Sequence, residues 1–339
     1  MATVSKVAVL GGGSFGTVIA NLVAEKGIPA HLWVRTPETA DAINQSRVNS
    51  RYVPKLTLAD SLLASSDIES VLSGAEVVFI AIPSSSFRSV LKQAKPFLND
   101  SQLLISTTKG IEAGTFQLMS QVMTQEAPNN PNGVISGPNL AKEIANRELT
   151  ATVIASAHEQ VQSLVQTLLQ STYFRVYASS DTFGVELGGT LKNIYAIASG
   201  MGAAMGMGEN TKAMLVTRSL AEMSRLAVSM GANPMTFLGL AGVGDLIVTC
   251  LSPLSRNYRV GYALGQGKSL EEAVAELGEV AEGVNTLKLV REHSDQQDVY
   301  MPLVRGLYEV VFNQAPLEKV IGQMMGAVQN ADVEFTLAK

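Results

Sequence analysis

The sequence predicts an α/β fold: a parallel sheet covered by helices over residues 1–180, followed by an all-helical region over residues 181–339. Three observations carry this expectation. Short apolar runs alternate with helical patterns through the first half. A glycine-rich turn joins the first apolar run to the first helical pattern. Strand-like runs stop near Ser179-Ser180-Asp181, and almost everything after them has a helical period. Near-continuous apolar strands separated by helices belong in a sheet buried on both faces, which is the parallel arrangement. A chain of 339 residues is also long for a single core, which favours two domains.

The elements follow in order. Val7 to Leu10 is a strand ending in Gly11-Gly12-Gly13, and Ser14 to Lys26 is a helix with Val18, Leu22 and Val23 on one face. Ala30 to Val34 and Val77 to Ile82 are further strands, the latter stopped by Pro83. A helix over Ser85 to Phe97 precedes strands at Leu103 to Ile105 and Val134-Ile135. Ala151 to Ala155 and Phe174 to Tyr177 close the strand series. Ser180 or Asp181 then caps a long helix to about Met205. Helices are expected at Asn210 to Met230, Ser255 to Leu264, Ser269 to Leu277, Val284 to His293, Leu303 to Asn313 and Pro316 to Met325.

Composition narrows the function classes. Charged residues make up 16%, the net charge is -5, and no Lys/Arg-rich block occurs, which argues against nucleic acid as a partner. A single cysteine, Cys250, allows neither an intrachain disulfide nor a cysteine-rich zinc site. The longest uncharged apolar stretch, Asn193 to Gly208, is studded with glycine and starts beside Lys192, so it reads as a buried helix rather than a membrane span. The first residues run into a strand without a signal-peptide pattern, which predicts the cytoplasm.

Gly11-Gly12-Gly13-Ser14-Phe15-Gly16 matches G-x-G-x-x-G between a strand and a helix, the setting the motif requires. Gly11 permits the turn, Gly13 admits a pyrophosphate and Gly16 lets the helix pack on the strand. The helix N-terminus offers unpaired N–H groups and positive dipole to phosphate. This predicts a Rossmann-type dinucleotide site. The second strand ends in Val34-Arg35-Thr36 where an acidic residue would hold a ribose 2′-hydroxyl. A guanidinium there suits a 2′-phosphate, so NADPH is expected over NADH. The alternative is a solvated Arg35 with both cofactors accepted.

Carbonyl reduction needs a proton donor. His31, His158 and His293 read as structural or solvated residues. Lys192 shares a helix face with Gly188, Gly189 and Ala196, which leave room beside its ammonium for another backbone or a ligand, and burial would lower its pKa. The competing reading is a lysine snorkelling at a helix edge. Thr107-Thr108-Lys109-Gly110 and Ser136-Gly137-Pro138-Asn139 follow strands, at the sheet edge where ligands bind, or are ordinary turns. Ser255 caps a helix at whose start Arg256 and Asn257 suit a phosphate, and Asp245 beside Gly242 and Gly244 suits a lysine partner; capping and turn chemistry is the competing reading of both segments, and by the residues alone the favoured one.

Taken together, the glycine-rich segment through Thr17, Thr107 to Gly110, Ser136 to Pro138, Val185 to Asn193, Ala241 to Thr249, Ser255 to Asn257 and Glu282-Gly283 resemble the bacterial NAD(P)-dependent glycerol-3-phosphate dehydrogenases. The resemblance covers most of the chain. It implies a 6-phosphogluconate-dehydrogenase-like fold, a homodimer and no metal. It also implies reduction of dihydroxyacetone phosphate to sn-glycerol 3-phosphate, which supplies phospholipid synthesis. By the same resemblance Lys192 is the acid/base, with Lys109 at substrate and nicotinamide. Asp245, Ser255, Arg256, Asn257, Gly137 and Asn139 match substrate positions. Ser14, Phe15, Arg35, Tyr52, Lys109, Ala141, Arg256, Val280 and Glu282 match cofactor positions. Two departures bear on the substrate pocket. Asn139 stands where the family commonly has Ser or Thr, and Cys250 to Leu254 is more apolar than the usual loop. Two rivals share the plan: a lysine-dependent reductase of a hydroxy acid or ketopantoate-like substrate, and a nucleotide-sensing protein without chemistry.

Overall fold

The computed structural model describes residues 4–278 and 281–326. The chain forms two compact units, Met1–Glu186 and Leu187–Lys339.

The first unit is built on eight strands: β1 (Val7–Leu10), β2 (Ala30–Trp33), β3 (Leu62–Ser65), β4 (Val77–Ile80), β5 (Leu103–Ser106), β6 (Asn132–Ser136), β7 (Thr150–Ala155) and β8 (Phe174–Ser179). Their order in the sheet is β3-β2-β1-β4-β5-β6-β7-β8. Side chains alternate between two buried layers. Val7, Val9, Val77, Phe79 and Ile105 lie in one core, and Ala8, Leu10, Val78, Ile80 and Leu104 in the other. Both faces are therefore covered, and the strands read as unbroken apolar runs for that reason. Sequence neighbours β1 and β2 pair directly, whereas β1 finds β4 on its other side. That reversal of strand order is where open α/β sheets bind ligands, and the glycine-rich turn leaves β1 at that point.

Two features differ from the expected sheet. β3 lies at the edge of the sheet, where Leu63 is exposed and the apolar run stops at Ala64. β6 and β7 pair antiparallel, while β1 through β6 run parallel and β7 with β8 are again parallel to each other. An antiparallel neighbour needs no crossover helix. Accordingly the short 137–149 connection, with a helix of one turn over Ala141–Ala145, returns the chain to the edge it has just left.

The described part of the second unit is helical. Its longest element spans Thr182–Ala204 and begins in the first unit. Asp181 caps it, its Oδ1 accepting the Gly184 N–H at 2.9 Å. Every residue from Gly184 to Ile197 is buried, as a helix that is apolar on all sides must be. Helices Glu209–Ser229, Asp245–Leu251, Arg256–Gly265, Leu270–Leu277, Glu282–Gln296, Pro302–Asn313 and Leu317–Met325 follow. A single π-type turn, Leu240–Gly244, leads directly into Asp245. Such turns recur at functional sites. No helix among the described residues is long and apolar enough to cross a membrane.

Candidate active site

In the first unit the chemistry gathers at the carboxyl ends of β1, β4, β5 and β6. Gly11 has φ +115, a conformation side chains rarely adopt. A Cβ on Gly16 would run into the Gly11 carbonyl, so the helix Ser14–Ala24 approaches β1 as closely as it does only through glycine. Gly13 is the N-cap and nothing lies within 4 Å of where its Cβ would stand. Ser14 and Phe15 open the helix. The turn thus exposes backbone N–H groups in open space at a positive helix end, which fits a pyrophosphate.

Asn49 carries no local signal in the sequence. Its buried amide donates to the Gly12 carbonyl and to Thr17 Oγ1, both at 2.9 Å, and pins a loop against the glycine turn. Tyr52 lies in that loop, its N–H bonded to the Asn49 carbonyl at 3.1 Å. Arg35 follows β2 and is exposed.

After β5, Thr107 and Thr108 are tied to the end of β4. Thr107 Oγ1 donates to the Ile80 carbonyl at 3.2 Å, and Thr108 Oγ1 to that of Ile82 at 2.7 Å. These bonds set the path of Lys109, whose Nζ donates to the Gly137 carbonyl at 2.9 Å. Lys109 and Gly137, 28 residues apart, therefore meet. Asn139 donates from Nδ2 to Thr152 Oγ1 at 2.8 Å, and Thr152 in turn donates to the Ser136 carbonyl. The Asn139 Oδ1 is buried with no hydrogen-bond partner among the described residues, an acceptor that costs free energy until something donates to it. Ala141 is the first residue of the short helix that follows.

Glu186 ends this unit. Its carboxylate accepts the N–H and hydroxyl of Ser120, at the start of the helix Met119–Glu126. Burial pushes its carboxyl up to about 7 against the pull of those donors.

In the second unit Lys192 is the centre. Its ammonium donates to Asp245 Oδ1 at 2.6 Å and also to the hydroxyl of Thr249. The Lys192 and Asp245 side chains are only 8% and 1% exposed. The lysine is thus held in the interior and does not snorkel. The ammonium is thus both buried and paired with a carboxylate. Thr249 and Asp245 are one turn apart on the helix Asp245–Leu251, so a single element supplies both partners. Thr249 carried no distinguishing mark in the sequence beyond this i, i+4 spacing. The clearance at Gly188 is taken by backbone: a Cβ there would stand 2.8 Å from the Ala241 carbonyl. The glycine thus admits the turn that carries Asp245.

Asn193, next to Lys192, accepts from Asn257 Nδ2 at 2.9 Å, and Asn257 Oδ1 accepts the Gly283 N–H at 2.9 Å. Both ends of the Asn257 amide are thereby spent on joining three helices. Its place at the helix start keeps its backbone N–H near any phosphate. Ser255 is the N-cap, accepting from the Tyr258 N–H at 3.3 Å, and Arg256 opens the helix. Glu282 opens the helix that contains Gly283. Val280 lies outside the described residues.

Cys250 is buried beside this cluster, its carbonyl accepting from Ser199 Oγ at 2.6 Å, and burial raises its thiol to about 12. His31 lies in β2, His158 caps the helix Glu159–Leu169, and His293 is in the last turn of its helix. Among the described residues no group of His, Cys, Asp and Glu is placed to hold a metal ion.

Comparison with known proteins identifies the family. The N-terminal model of the NAD-dependent glycerol-3-phosphate dehydrogenases matches residues 6–162, and the C-terminal model matches residues 181–322. The glycerol-3-phosphate dehydrogenase [NAD(P)+] of Pseudomonas putida F1 is 58% identical over 97% of this chain and 96% of its own. Among solved structures, the glycerol-3-phosphate dehydrogenase of Coxiella burnetii superposes with a TM-score of 0.91 at 34% identity, over 95% of this chain and 99% of that one. The Saccharomyces cerevisiae enzyme reaches 0.83 at 28% identity, over 96% of this chain and 100% of its own. The chain belongs to the NAD-dependent glycerol-3-phosphate dehydrogenase family.

Proposed function

We propose that the chain reduces dihydroxyacetone phosphate to sn-glycerol 3-phosphate with NADPH in preference to NADH. It does so in the cytoplasm, as a homodimer, to supply phospholipid synthesis. In this reading residues 1–180 bind the dinucleotide, and residues 181–339 bind substrate and pair the copies. The observation that carries the reading is the buried Lys192–Asp245–Thr249 cluster. A charge removed from water is costly unless paired and put to use. The pairing keeps the ammonium charged and fixed in place inside the protein, as a proton donor to a substrate oxygen requires.

The nicotinamide, when bound, supplies the hydride. Gly11, Gly13, Ser14, Phe15 and Gly16 hold its pyrophosphate, and Arg35, Tyr52, Ala141, Arg256, Val280 and Glu282 take up the rest of the cofactor. Lys192 gives its proton to the alkoxide that forms on the substrate, and Asp245 aims the ammonium. Lys109 adds positive charge near the same oxygen, where charge develops. Ser255, Arg256 and Asn257 hold the phosphate at a helix start, and Gly137 and Asn139 are further substrate contacts. The unsatisfied Asn139 Oδ1 is suited to accept from a substrate hydroxyl.

The test follows nicotinamide absorbance with purified protein, dihydroxyacetone phosphate and NADPH, with NADH in parallel. Rapid oxidation that requires the phosphate group is expected. Equal rates with unphosphorylated dihydroxyacetone would remove the Arg256 phosphate site. No oxidation in the presence of demonstrated cofactor binding would transfer the fold to another substrate.

A further inference from the structure

The preference for NADPH has so far rested on Arg35. A second arginine, Arg51, stands in a loop pinned to the same glycine turn. The buried Asn49 amide ties the loop around residues 49–53 to the Gly12 carbonyl and to Thr17. The loop turns tightly there, with the Tyr52 and Val53 N–H groups both bonded to the Asn49 carbonyl. On the other side, Gly12 packs so closely on Val34 that any Cβ would collide with it. Gly12 is thus flanked by Val34, whose next residue is Arg35, and by Asn49, two residues before Arg51. Both arginines are exposed. The Arg51 guanidinium lies over the Tyr52 ring, 5.3 Å from its centroid.

We propose that Arg51 is a specificity-determining residue that grips the adenosine 2′-phosphate together with Arg35. The inference rests on the reading of this turn as an NADPH site. A phosphate monoester presents three acceptor oxygens and nearly two negative charges at neutral pH. One guanidinium engages two of those oxygens at most in its fork geometry, so a second completes the set. Stacking on Tyr52 restrains the long side chain before the cofactor arrives, which reduces the rotamer entropy lost on binding, and it leaves the N–H edges open. NADH has a hydroxyl at this position and has no use for the extra charge.

The experiment measures dissociation constants for NADPH and NADH by quenching of protein fluorescence, on the wild type and on Arg51→Ala, Arg51→Lys and Arg35→Ala. Thermal midpoints report folding. Loss of charge-assisted bonds to a phosphate predicts that Arg51→Ala weakens NADPH binding roughly ten- to a hundredfold relative to NADH. Arg51→Lys should fall between, because it keeps the charge and loses the fork. Titration with adenosine 2′,5′-bisphosphate against adenosine 5′-phosphate should show the same discrimination without the nicotinamide. If Arg51→Ala weakens both cofactors equally, the residue acts on the adenine and the proposal fails. If Arg35→Ala abolishes the preference and Arg51→Ala leaves it intact, the proposal fails and the Arg35 reading stands. A wild type that binds the two cofactors equally well sinks both.

Discussion

A single buried proton donor sets the chemistry at the level of residues. Lys192→Ala removes the general acid and should lower turnover by about 10²–10⁴-fold. The dinucleotide turn is untouched, so fluorescence titration should give nearly unchanged NADPH affinity. Retained turnover would exclude Lys192 as the donor. The substitution also strands Asp245 without its cation, and uncompensated buried charge costs about 3–5 kcal/mol, so the thermal midpoint should fall as well. The double variant Lys192→Met with Asp245→Leu should recover part of that stability with no activity. The lysine could be picked out from the sequence because it interrupts an apolar, glycine-bearing helix. Its partners were less legible: Asp245 lies 53 residues on and Thr249 57. No local pattern states that an aspartate and a threonine one turn apart on another helix converge on this amine. Asn49 was invisible for the same reason, since its partners Gly12 and Thr17 are 37 and 32 residues away.

Among the elements, the helix Thr182–Ala204 shows how close packing and chemistry are linked. Gly188 lets the Ala241 backbone approach, and the π-type turn there hands the chain to Asp245. Gly188→Ala should therefore cost about 1–3 kcal/mol through overpacking. Because the displaced turn carries the lysine's partner, turnover should drop alongside the midpoint. A variant with a lowered midpoint and unchanged turnover would separate the turn from the site. The strands with two buried faces were easy to read, since Val77–Ile80 is apolar at every position. β3 escaped because its apolar run, Leu62-Leu63-Ala64, is cut short by Ser65 and, at the edge of the sheet, is not buried throughout. The antiparallel step from β6 to β7 was illegible for a different reason. Strand direction is fixed by the connection, and a connection of 137–149 containing a one-turn helix reads the same whichever way the next strand runs.

For the molecule as a whole, two buried carboxyls tie stability to pH. Glu186 sits in the first unit with Ser120. Glu222 sits in the second, accepting from the Leu303 N–H at 2.5 Å, the Val304 N–H at 3.3 Å and the Tyr195 hydroxyl at 3.3 Å. Burial raises both to about 7. An unfolded glutamate releases its proton near pH 4.3. Between that pH and about 7 the unfolded chain has therefore lost protons that the folded chain retains. Raising the pH through this window removes stability that is fully present below it, on the order of 3 kcal/mol per carboxyl. Glu186→Gln and Glu222→Gln mimic the neutral form and should flatten the decline in thermal midpoint from pH 5 to pH 8. A slope that neither substitution changes would show that other groups set it.

Cys250 gives the whole chain a clock. It is the one thiol in 339 residues, fully buried, and its thiol is raised to about 12. The thiolate is the reactive form, so the native protein should ignore alkylating reagents at neutral pH. Label can enter only when the interior around the lysine opens. At low reagent the labelling rate tracks the equilibrium population of open molecules, and at high reagent it tracks the opening rate itself. Mass spectrometry of labelled protein should show a plateau in rate with rising reagent concentration. Unhindered labelling of the native chain would show that its core is open to solvent. Because the thiol follows Thr249 directly, the clock reports how often the proton donor's own surroundings come apart, without any substitution to disturb them.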